Sequence, residues 1–98
     1  MQRTGFPSPA RNYEKLDLDF NKLLIDSPSS TFFFKTKRDY KELGLKNGDI
    51  IIVDRSKNPK KSVLSVVLLD GRLTIKDTSD IKPETEIFGK ITYVIRKL

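Results

Sequence analysis

A two-residue turn between two β-prone segments places the strongest constraint on the fold of this chain. Residues 62–69 and 72–76 are rich in β-branched and apolar residues, and Asp70-Gly71 separates them. Both turn residues tolerate positive φ angles, so the pair is typical of the type I′ turn that closes a tight hairpin. In the second arm Leu73 and Ile75 alternate with polar residues, as in a strand that is buried on one face only. The sequence therefore predicts an antiparallel β-hairpin here.

Turn signals also divide the rest of the chain into short elements. Pro7 and Pro9 lie among polar residues and resist regular structure, so residues 1–14 are predicted to form an extended N-terminal arm. Residues 15–98 are predicted to form one mainly β domain. Besides the hairpin, its expected elements are a short helix that is capped by Asp17 or Asp19 and carries Phe20, Leu23 and Leu24 on one face, strands over 31–36, 50–53 and 86–97, and a helical turn capped by Asp39 that packs Leu43 inward.

The composition excludes several kinds of catalytic site. The 98 residues include no cysteine and no histidine, so disulfides, thiolate metal sites, cysteine nucleophiles and Ser–His–Asp triads are impossible. The sequence also has no glycine-rich phosphate loop and no acidic metal cluster, so no cofactor is predicted. It has no apolar run of the ~20 residues that span a bilayer, and its first ten residues do not resemble a signal sequence. We therefore expect a cytoplasmic protein.

The net charge of +6 favours a negatively charged partner, either nucleic acid or an acidic protein surface. No stacking platform for single-stranded bases is indicated, so we expect DNA contact to be weak, non-specific and mediated by phosphates. A solvated basic surface accounts for the charge equally well. The basic residues form two clusters, Lys35, Lys37, Arg38 and Lys41, and Arg55, Lys57, Lys60 and Lys61.

Three stretches resemble the UmuD/LexA family of self-cleaving S24 peptidases. They are Gly5-Phe6-Pro7-Ser8-Pro9-Ala10 with the following Leu16-Asp17-Leu18, Ser30-Thr31-Phe32-Phe33 leading to Asn47-Gly48-Asp49-Ile50-Ile51-Ile52-Val53-Asp54, and Asp70-Gly71-Arg72-Leu73-Thr74-Ile75-Lys76. The resemblance implies a shortened LexA-like β fold. Family members cut their own N-terminal arm with a Ser–Lys dyad when a RecA–single-stranded DNA filament stimulates them. The UmuD branch then forms a homodimer that assists a Y-family, UmuC-like translesion polymerase in the SOS response to DNA damage.

The family's catalytic dyad is only half present in this sequence. Lys76 stands where the family keeps the lysine that serves as base. The family nucleophile lies in a Ser-Gly-Asp-Ser-Met segment, which here reads Lys37-Arg38-Asp39-Tyr40-Lys41, so Tyr40 takes the place of the serine and Arg38 that of the glycine. A phenol on a long ring cannot take up the geometry of a serine hydroxyl, and arginine lacks the backbone freedom of glycine. We therefore expect a pseudo-peptidase.

Further departures from the family pattern agree with this expectation. Lys60-Lys61-Ser62 replaces a His-Gly-Asp segment, and the stretch after the lysine is reduced to residues 77–84. The bond that family members cut corresponds to Thr4-Gly5, and only four residues precede it, as in a processed form. The leading hypothesis is a catalytically inactive UmuD-like subunit that dimerises through its final strand and its arm.

Two alternatives remain open at the level of sequence. One is an active self-peptidase with a relocated nucleophile, for which Ser62 and Ser65 on the neighbouring hairpin arm are the candidates. The other is a general basic nucleic-acid-binding β domain whose role is unrelated to UmuD.

Overall fold

A computed structural model describes residues 19–60 and 62–98, and its strands follow the turn signals of the sequence. Helix α1 spans Phe20–Leu24, and the predicted cap is confirmed because the Asp19 side chain accepts a hydrogen bond from the Asn21 N–H at 3.0 Å. The five strands are β1 (Thr31–Lys35), β2 (Ile50–Asp54), β3 (Leu64–Leu69), β4 (Arg72–Asp77) and β5 (Glu86–Ile95). The predicted arm, residues 1–14, lies outside the described residues.

All five strands form one antiparallel sheet in the order β1-β2-β5-β3-β4. The predicted hairpin is β3–β4, in which Leu69 pairs with Arg72 across the turn. Asp70 and Gly71 have φ angles of 52° and 75°, as a type I′ turn requires. The expectation of a mainly β fold is therefore confirmed, and β5 lies in the middle of the sheet between two strands that precede it.

The hydrophobic core covers one face of this sheet. Phe34, Tyr40 and Phe88 pack around its margin, and the Phe88 ring meets Phe32 and Phe34 edge-on at centroid distances of 5.4 and 5.7 Å. The opposite face buries a smaller group, Ile52, Ser65 and Val67. The buried members of the main core are Leu45, Ile51, Val53, Val66, Ile75 and Ile91.

The sheet is strongly curled, as the position of its two edge strands on either side of one groove shows. In a flat sheet β1 and β4 would lie about 19 Å apart, four strand spacings. Yet a groove of about 240 Å³ is lined by Phe34 and Lys35 of β1 and by Leu73, Thr74 and Ile75 of β4. Register shifts between Ile52/Val53 and between Val66/Val67 mark bulges on both sides of β5, where local twist and bending increase. The result is an incompletely closed barrel with an open seam.

Some local predictions differ from the structure. Asp39 does not cap the helical turn, which is a 3-10 turn over Lys41–Leu43 preceded by Tyr40. The Asp39 carboxylate instead accepts the Asn47 N–H at 2.9 Å, because the loop folds back on itself and brings that donor close. Leu43 does pack against the core as predicted. The polar stretch after β4 contains a 3-10 turn over Thr78–Asp80, and β3 begins at Leu64 rather than at residue 62.

Candidate functional site

Tyr40, in the predicted nucleophile position, lies in the connection between β1 and β2. Its N–H donates to the Leu45 carbonyl at 2.9 Å, and the Leu45 N–H donates back to the Tyr40 carbonyl at 3.1 Å. The 3-10 turn over Lys41–Leu43 lies inside this bridge, and Gly44 ends it with a φ of 74°, which glycine adopts without strain. The backbone of Tyr40 is therefore fixed by its own loop at the margin of the core.

The Tyr40 ring is held between the core and Arg38. The ring packs against the buried cluster, and the guanidinium carbon of Arg38 lies 3.9 Å from the ring centroid. This geometry is that of a cation–π contact. Two of the four residues that depart from the family motif thus contact each other, since the arginine in the glycine position stacks on the tyrosine in the serine position. A serine here would carry its hydroxyl on Cβ, whereas the phenol hydroxyl is displaced by the length of the ring.

Lys76, the predicted descendant of the catalytic base, reaches the same region from β4. Besides the groove of about 240 Å³ described above, a second chamber of about 460 Å³ is lined by both Tyr40 and Lys76. The structure therefore brings the two dyad positions to this second chamber, which is the groove they share. The described hydrogen bonds include none between them. Lys76 is exposed, so it lacks the apolar enclosure that a lysine base needs.

Two of the four carboxylates that line this second chamber, Asp39 and Asp77, are hydrogen-bonded to other groups. Asp77 follows Lys76 in sequence, but its carboxylate accepts the backbone N–H of Ser79 at 2.9 Å and the Ser79 hydroxyl at 2.8 Å. These two bonds, the backbone one first, lower the pKa of Asp77. Asp39 is bonded to the Asn47 N–H, as described above. Neither of these carboxylates forms a salt bridge with Lys76 within the described residues.

Ser65, one candidate for a relocated nucleophile, lies directly opposite Lys76 in the β3–β4 register and opposite Lys90 in the β3–β5 register. Cross-strand neighbours of this kind have Cβ atoms about 5 Å apart. However, Ser65 has no solvent-exposed surface, and its hydroxyl has no hydrogen-bond partner among residues 19–60 and 62–98. A peptide bond cannot reach this oxygen in the folded state, so the position does not serve as a nucleophile in this conformation.

The remaining predicted positions are not brought to the groove. Ser62, the other relocated-nucleophile candidate, is exposed in the connection to β3 with a positive φ of 58° and lines neither chamber. Thr4 and Gly5, the cleavage-site equivalents, lie outside the described residues. No cluster of three metal-ligating side chains occurs in residues 19–60 and 62–98. Within the same ranges, no helix has the length and apolar character needed to cross a membrane.

Two features of this site were missed by sequence reasoning, although one carries a local signal. The first feature is the position of Ser65 opposite Lys76. It follows from the two-residue turn at Asp70-Gly71, which pairs Leu69 with Arg72 and so sets the register of the hairpin. The second feature, the groove between the outer edges of β1 and β4, arises from curling of the whole sheet and has no local signature.

Comparison with known proteins agrees with the motif resemblance. The Peptidase S24-like family matches residues 2–89 of this chain. Protein ImpA of Salmonella typhimurium is 32% identical over 114 residues, which cover 97% of this chain and 79% of that protein. Protein SamA of Salmonella typhimurium strain LT2 is 34% identical over 111 residues, covering 95% and 79%. Protein MucA of Escherichia coli is 34% identical over 73 residues, covering 74% and 50%.

The length of the ImpA alignment shows that this chain is shorter than the part of ImpA that it matches. The alignment with ImpA extends over 114 residues although this chain has only 98, so ImpA contains inserted residues that this chain lacks. A family match over most of the chain, together with relatives at this level of identity, establishes the relationship. The chain belongs to the Peptidase S24-like family.

Proposed function

We propose that this protein is a catalytically inactive regulatory subunit of the UmuD type, which assists an error-prone Y-family polymerase in the response to DNA damage. The observation that carries the proposal is the state of the nucleophile position, where the Tyr40 ring is packed against the core and covered by Arg38. Family membership supplies the context, and the buried Ser65 offers no accessible replacement. The function then depends on binding rather than on cutting.

The chemistry of a Ser–Lys dyad explains why these changes matter together. The lysine must take the proton of the hydroxyl as it attacks, so the two groups need hydrogen-bond contact and the lysine needs an apolar surrounding. Here the dyad positions share a groove without a hydrogen bond, and Lys76 is exposed. Restoring one hydroxyl does not restore the enclosure, and catalysis falls steeply when groups lie ~1 Å out of place.

The peptidase part of the proposal is tested by incubating the protein with a peptide that carries a UmuD-type cleavage sequence, with and without a RecA–DNA filament, at neutral and alkaline pH. A LexA protein incubated in parallel shows that the filament is active. We expect no cutting by wild type and little or none by Tyr40→Ser. Cutting by wild type that Lys76→Ala abolishes would overturn the proposal. Efficient cutting by Tyr40→Ser would show that only the nucleophile is missing.

Homodimer formation forms part of the same proposal, and a specific surface supports it. Phe33, Ile50, Tyr93 and Ile95 are 59%, 40%, 43% and 44% exposed. All four lie on the face opposite the main core, since Phe33 and Tyr93 both pair with Ile52, and Ile50 pairs with Ile95. The buried Ile52 lies between Phe33 and Tyr93. A group of exposed apolar residues on one face is typical of a protein interface. We assign this four-residue patch, which includes the end of β5, to the second copy of the chain.

The polymerase partnership is tested by co-elution with a UmuC-type polymerase in size-exclusion chromatography. We expect a shared peak with the wild-type protein. Absence of the shared peak at concentrations where the protein is dimeric would contradict the partnership. The result of the peptidase assay would not be affected by this outcome.

A further inference from the structure

We infer that a cleft at one end of the sheet is a docking site for an acidic segment of a partner protein that also carries aliphatic side chains. This basic cleft has a volume of about 630 Å³, and its lining combines three lysines with three aliphatic residues. These are Lys35, Lys46 and Lys97, and Ile50, Ile95 and Leu98. No residue lines both the basic cleft and the chamber shared by the two dyad positions. The inference therefore goes beyond the proposed function and does not depend on the dyad.

The register of the sheet builds the aliphatic floor of the basic cleft. β1 ends at Lys35, β2 begins at Ile50 and β5 ends at Ile95. Lys35 pairs with Ile50, which in turn pairs with Ile95. Directly opposed residues project to the same face, so the three side chains form one row across neighbouring strands that lie about 5 Å apart. Both isoleucines are exposed and Leu98 is fully exposed, so the row offers aliphatic surface directly beside a cation.

The positive charge of the basic cleft is not balanced from within. Asp49 is the only carboxylate side chain among the described lining residues, and Arg96 donates to both of its oxygens, so this pair has no net charge. The two described salt bridges involve none of the three lysines, and all three are exposed. Three positive charges therefore remain for a partner of opposite charge.

The backbone donors of the loop beside the cleft are already in use. The Lys46 N–H donates to the Asp49 carboxylate at 2.9 Å. The Asn47 N–H donates to the Asp39 carboxylate, also at 2.9 Å. The Gly48 and Asp49 N–H groups donate to backbone carbonyls at 2.8 and 3.0 Å. Compact phosphate sites use converging backbone N–H groups, and this loop has none to offer. Recognition therefore falls to lysine side chains, which suit several separated negative charges.

These features specify the chemistry of the occupant. Carboxylates of an acidic segment would pair with the three lysines, while its aliphatic side chains would cover the exposed floor. A nucleic acid strand fits less well, because the described lining has no aromatic ring on which a base could stack and no backbone donor for a phosphate. The occupant is therefore a polypeptide segment in which acidic residues flank aliphatic ones.

The basic cleft overlaps the patch that we assign to the second copy of the chain, since Ile50 and Ile95 belong to both. A bound segment and a second copy would cover the same two side chains, so dimer formation would compete with binding. Phe33→Ser separates the two events, because Phe33 belongs to the patch but does not line the cleft. Serine also adds no charge that would repel an acidic peptide.

The experiment titrates wild type and Phe33→Ser into a labelled synthetic peptide in which glutamates flank a pair of leucines, and it follows fluorescence anisotropy. We expect binding, with Phe33→Ser at least as tight as wild type. In the Phe33→Ser background, Lys46→Glu/Lys97→Glu should bind about tenfold more weakly, and should gain binding to the same peptide with lysine in place of glutamate. The matched variant Lys22→Glu/Lys82→Glu changes exposed lysines outside the cleft and should retain most of the affinity.

A change on each side tests the aliphatic floor. Leu98→Ser in the protein, or serine in place of both leucines in the peptide, should weaken binding several-fold, because each removes aliphatic surface that binding buries. Bound peptide should shift the methyl resonances of Ile50 and Ile95 and leave those of Leu73 in β4 unchanged. Thermal melts confirm that each variant is folded.

The outcomes that overturn the inference differ from those that contradict the proposed function. No binding by Phe33→Ser, equal loss of affinity in the two lysine double variants, or unchanged methyl resonances of Ile50 and Ile95 would each overturn it. Displacement by a single-stranded oligonucleotide at a lower concentration than by unlabelled acidic peptide would do the same, in favour of nucleic acid. A wild type that binds the peptide but sediments as a strict monomer contradicts the dimer alone.

Discussion

Arg96 and Asp49 form a bidentate ion pair that connects the end of β5 to the turn before β2. The Arg96 Nε donates to Oδ1 at 2.8 Å and Nη2 donates to Oδ2 at 2.7 Å. The same Nη2 also donates to the Gly44 carbonyl at 2.9 Å, so the arginine holds the loop that contains Tyr40. Asp49 is almost fully buried, and the Lys46 N–H donates to its second oxygen at 2.9 Å. The Arg96 side chain and, after it, this N–H lower the pKa of Asp49 from 3.8 to about 2.

The first prediction concerns acid stability. A carboxylate whose folded-state pKa lies below its ordinary value contributes stability above 3.8 and loses that contribution as the pH falls toward 2. Asp49→Asn removes this titration. The variant should melt several degrees below wild type at neutral pH, and the difference should shrink between about pH 4 and pH 2. Melts of wild type, Asp49→Asn and the exposed control Asp80→Asn measure this. A difference that stays constant down to pH 2 would contradict the assignment.

The second prediction concerns the close approach of β5 to β2. A Cβ added at Gly89 would lie 2.7 Å from Val53 Cγ1 and 3.1 Å from the Asp54 carbonyl oxygen. Gly89→Ala should therefore destabilise the protein by about 1–3 kcal/mol, as overpacking does. The double variant Val53→Ala/Gly89→Ala should lose less stability than the sum of the single variants, because the first contact is removed. Denaturant titration of the three variants tests this, and strict additivity would rule out the clash with Val53.

The third prediction concerns the buried hydroxyl of Ser65. Its Oγ is buried and has no hydrogen-bond partner in the part of the chain that the structure describes. Removing an unpaired polar atom relieves a desolvation penalty, so Ser65→Ala should be neutral or stabilising by up to about 1 kcal/mol. The control is Thr36→Val, because the buried Thr36 hydroxyl donates to the Lys46 carbonyl at 2.6 Å and its loss should destabilise by about 1 kcal/mol. Equal destabilisation by the two changes would mean that Ser65 has a partner.

The fourth prediction concerns the second copy of the chain. Phe33→Glu places a charge on the β1 side of the exposed four-residue patch and should convert the dimer to a monomer at micromolar concentration. Leu73→Glu serves as the control, since Leu73 is comparably exposed on the opposite edge and face of the sheet. Equilibrium sedimentation measures both variants. A wild-type protein that sediments as a strict monomer, or a Phe33→Glu variant that remains dimeric, would rule out this interface.

The fifth prediction concerns DNA. Affinity that comes from phosphate contacts releases counterions, so binding should fall by at least about tenfold between roughly 50 and 200 mM salt and should not depend on base sequence. Single- and double-stranded oligonucleotides titrated at the two salt concentrations measure it. Salt-insensitive or sequence-selective binding would favour the alternative of a dedicated nucleic-acid-binding domain.

Local sequence signals account for the elements of this fold but not for their arrangement. The positive φ angles of Asp70 and Gly71, and with them the register of the hairpin, follow from the chemistry of two adjacent residues. The cap of α1 by Asp19 is equally local. No local signal places β5 between β2 and β3, because strand order depends on how complete faces pack. The predicted cap by Asp39 is wrong because its carboxylate binds the Asn47 N–H, a donor eight residues away that no local pattern indicates.

In the candidate site, too, some features can be predicted from the sequence and others arise only on folding. The motif alignment identifies Tyr40 and Lys76 as the dyad positions, and the structure places both beside one groove. The stacking of Arg38 on Tyr40 and the bridge from Arg96 to Asp49 depend on side chains that meet only after folding. The second of these pairs is separated by 47 residues, beyond the reach of any local pattern.

The central position of β5 has a consequence for how the sheet assembles. β1 pairs with β2 and β3 pairs with β4, but only β5 joins the two pairs. Within each pair the two strands are close in sequence. In contrast, β5 can pair with β2 and β3 only by closing a long loop to each of them. The chain should therefore remain as two loosely coupled hairpins, with the inner edges of β2 and β3 unprotected, until residues 86–95 have been synthesised. We therefore expect the protein to be most exposed to aggregation before this segment emerges from the ribosome.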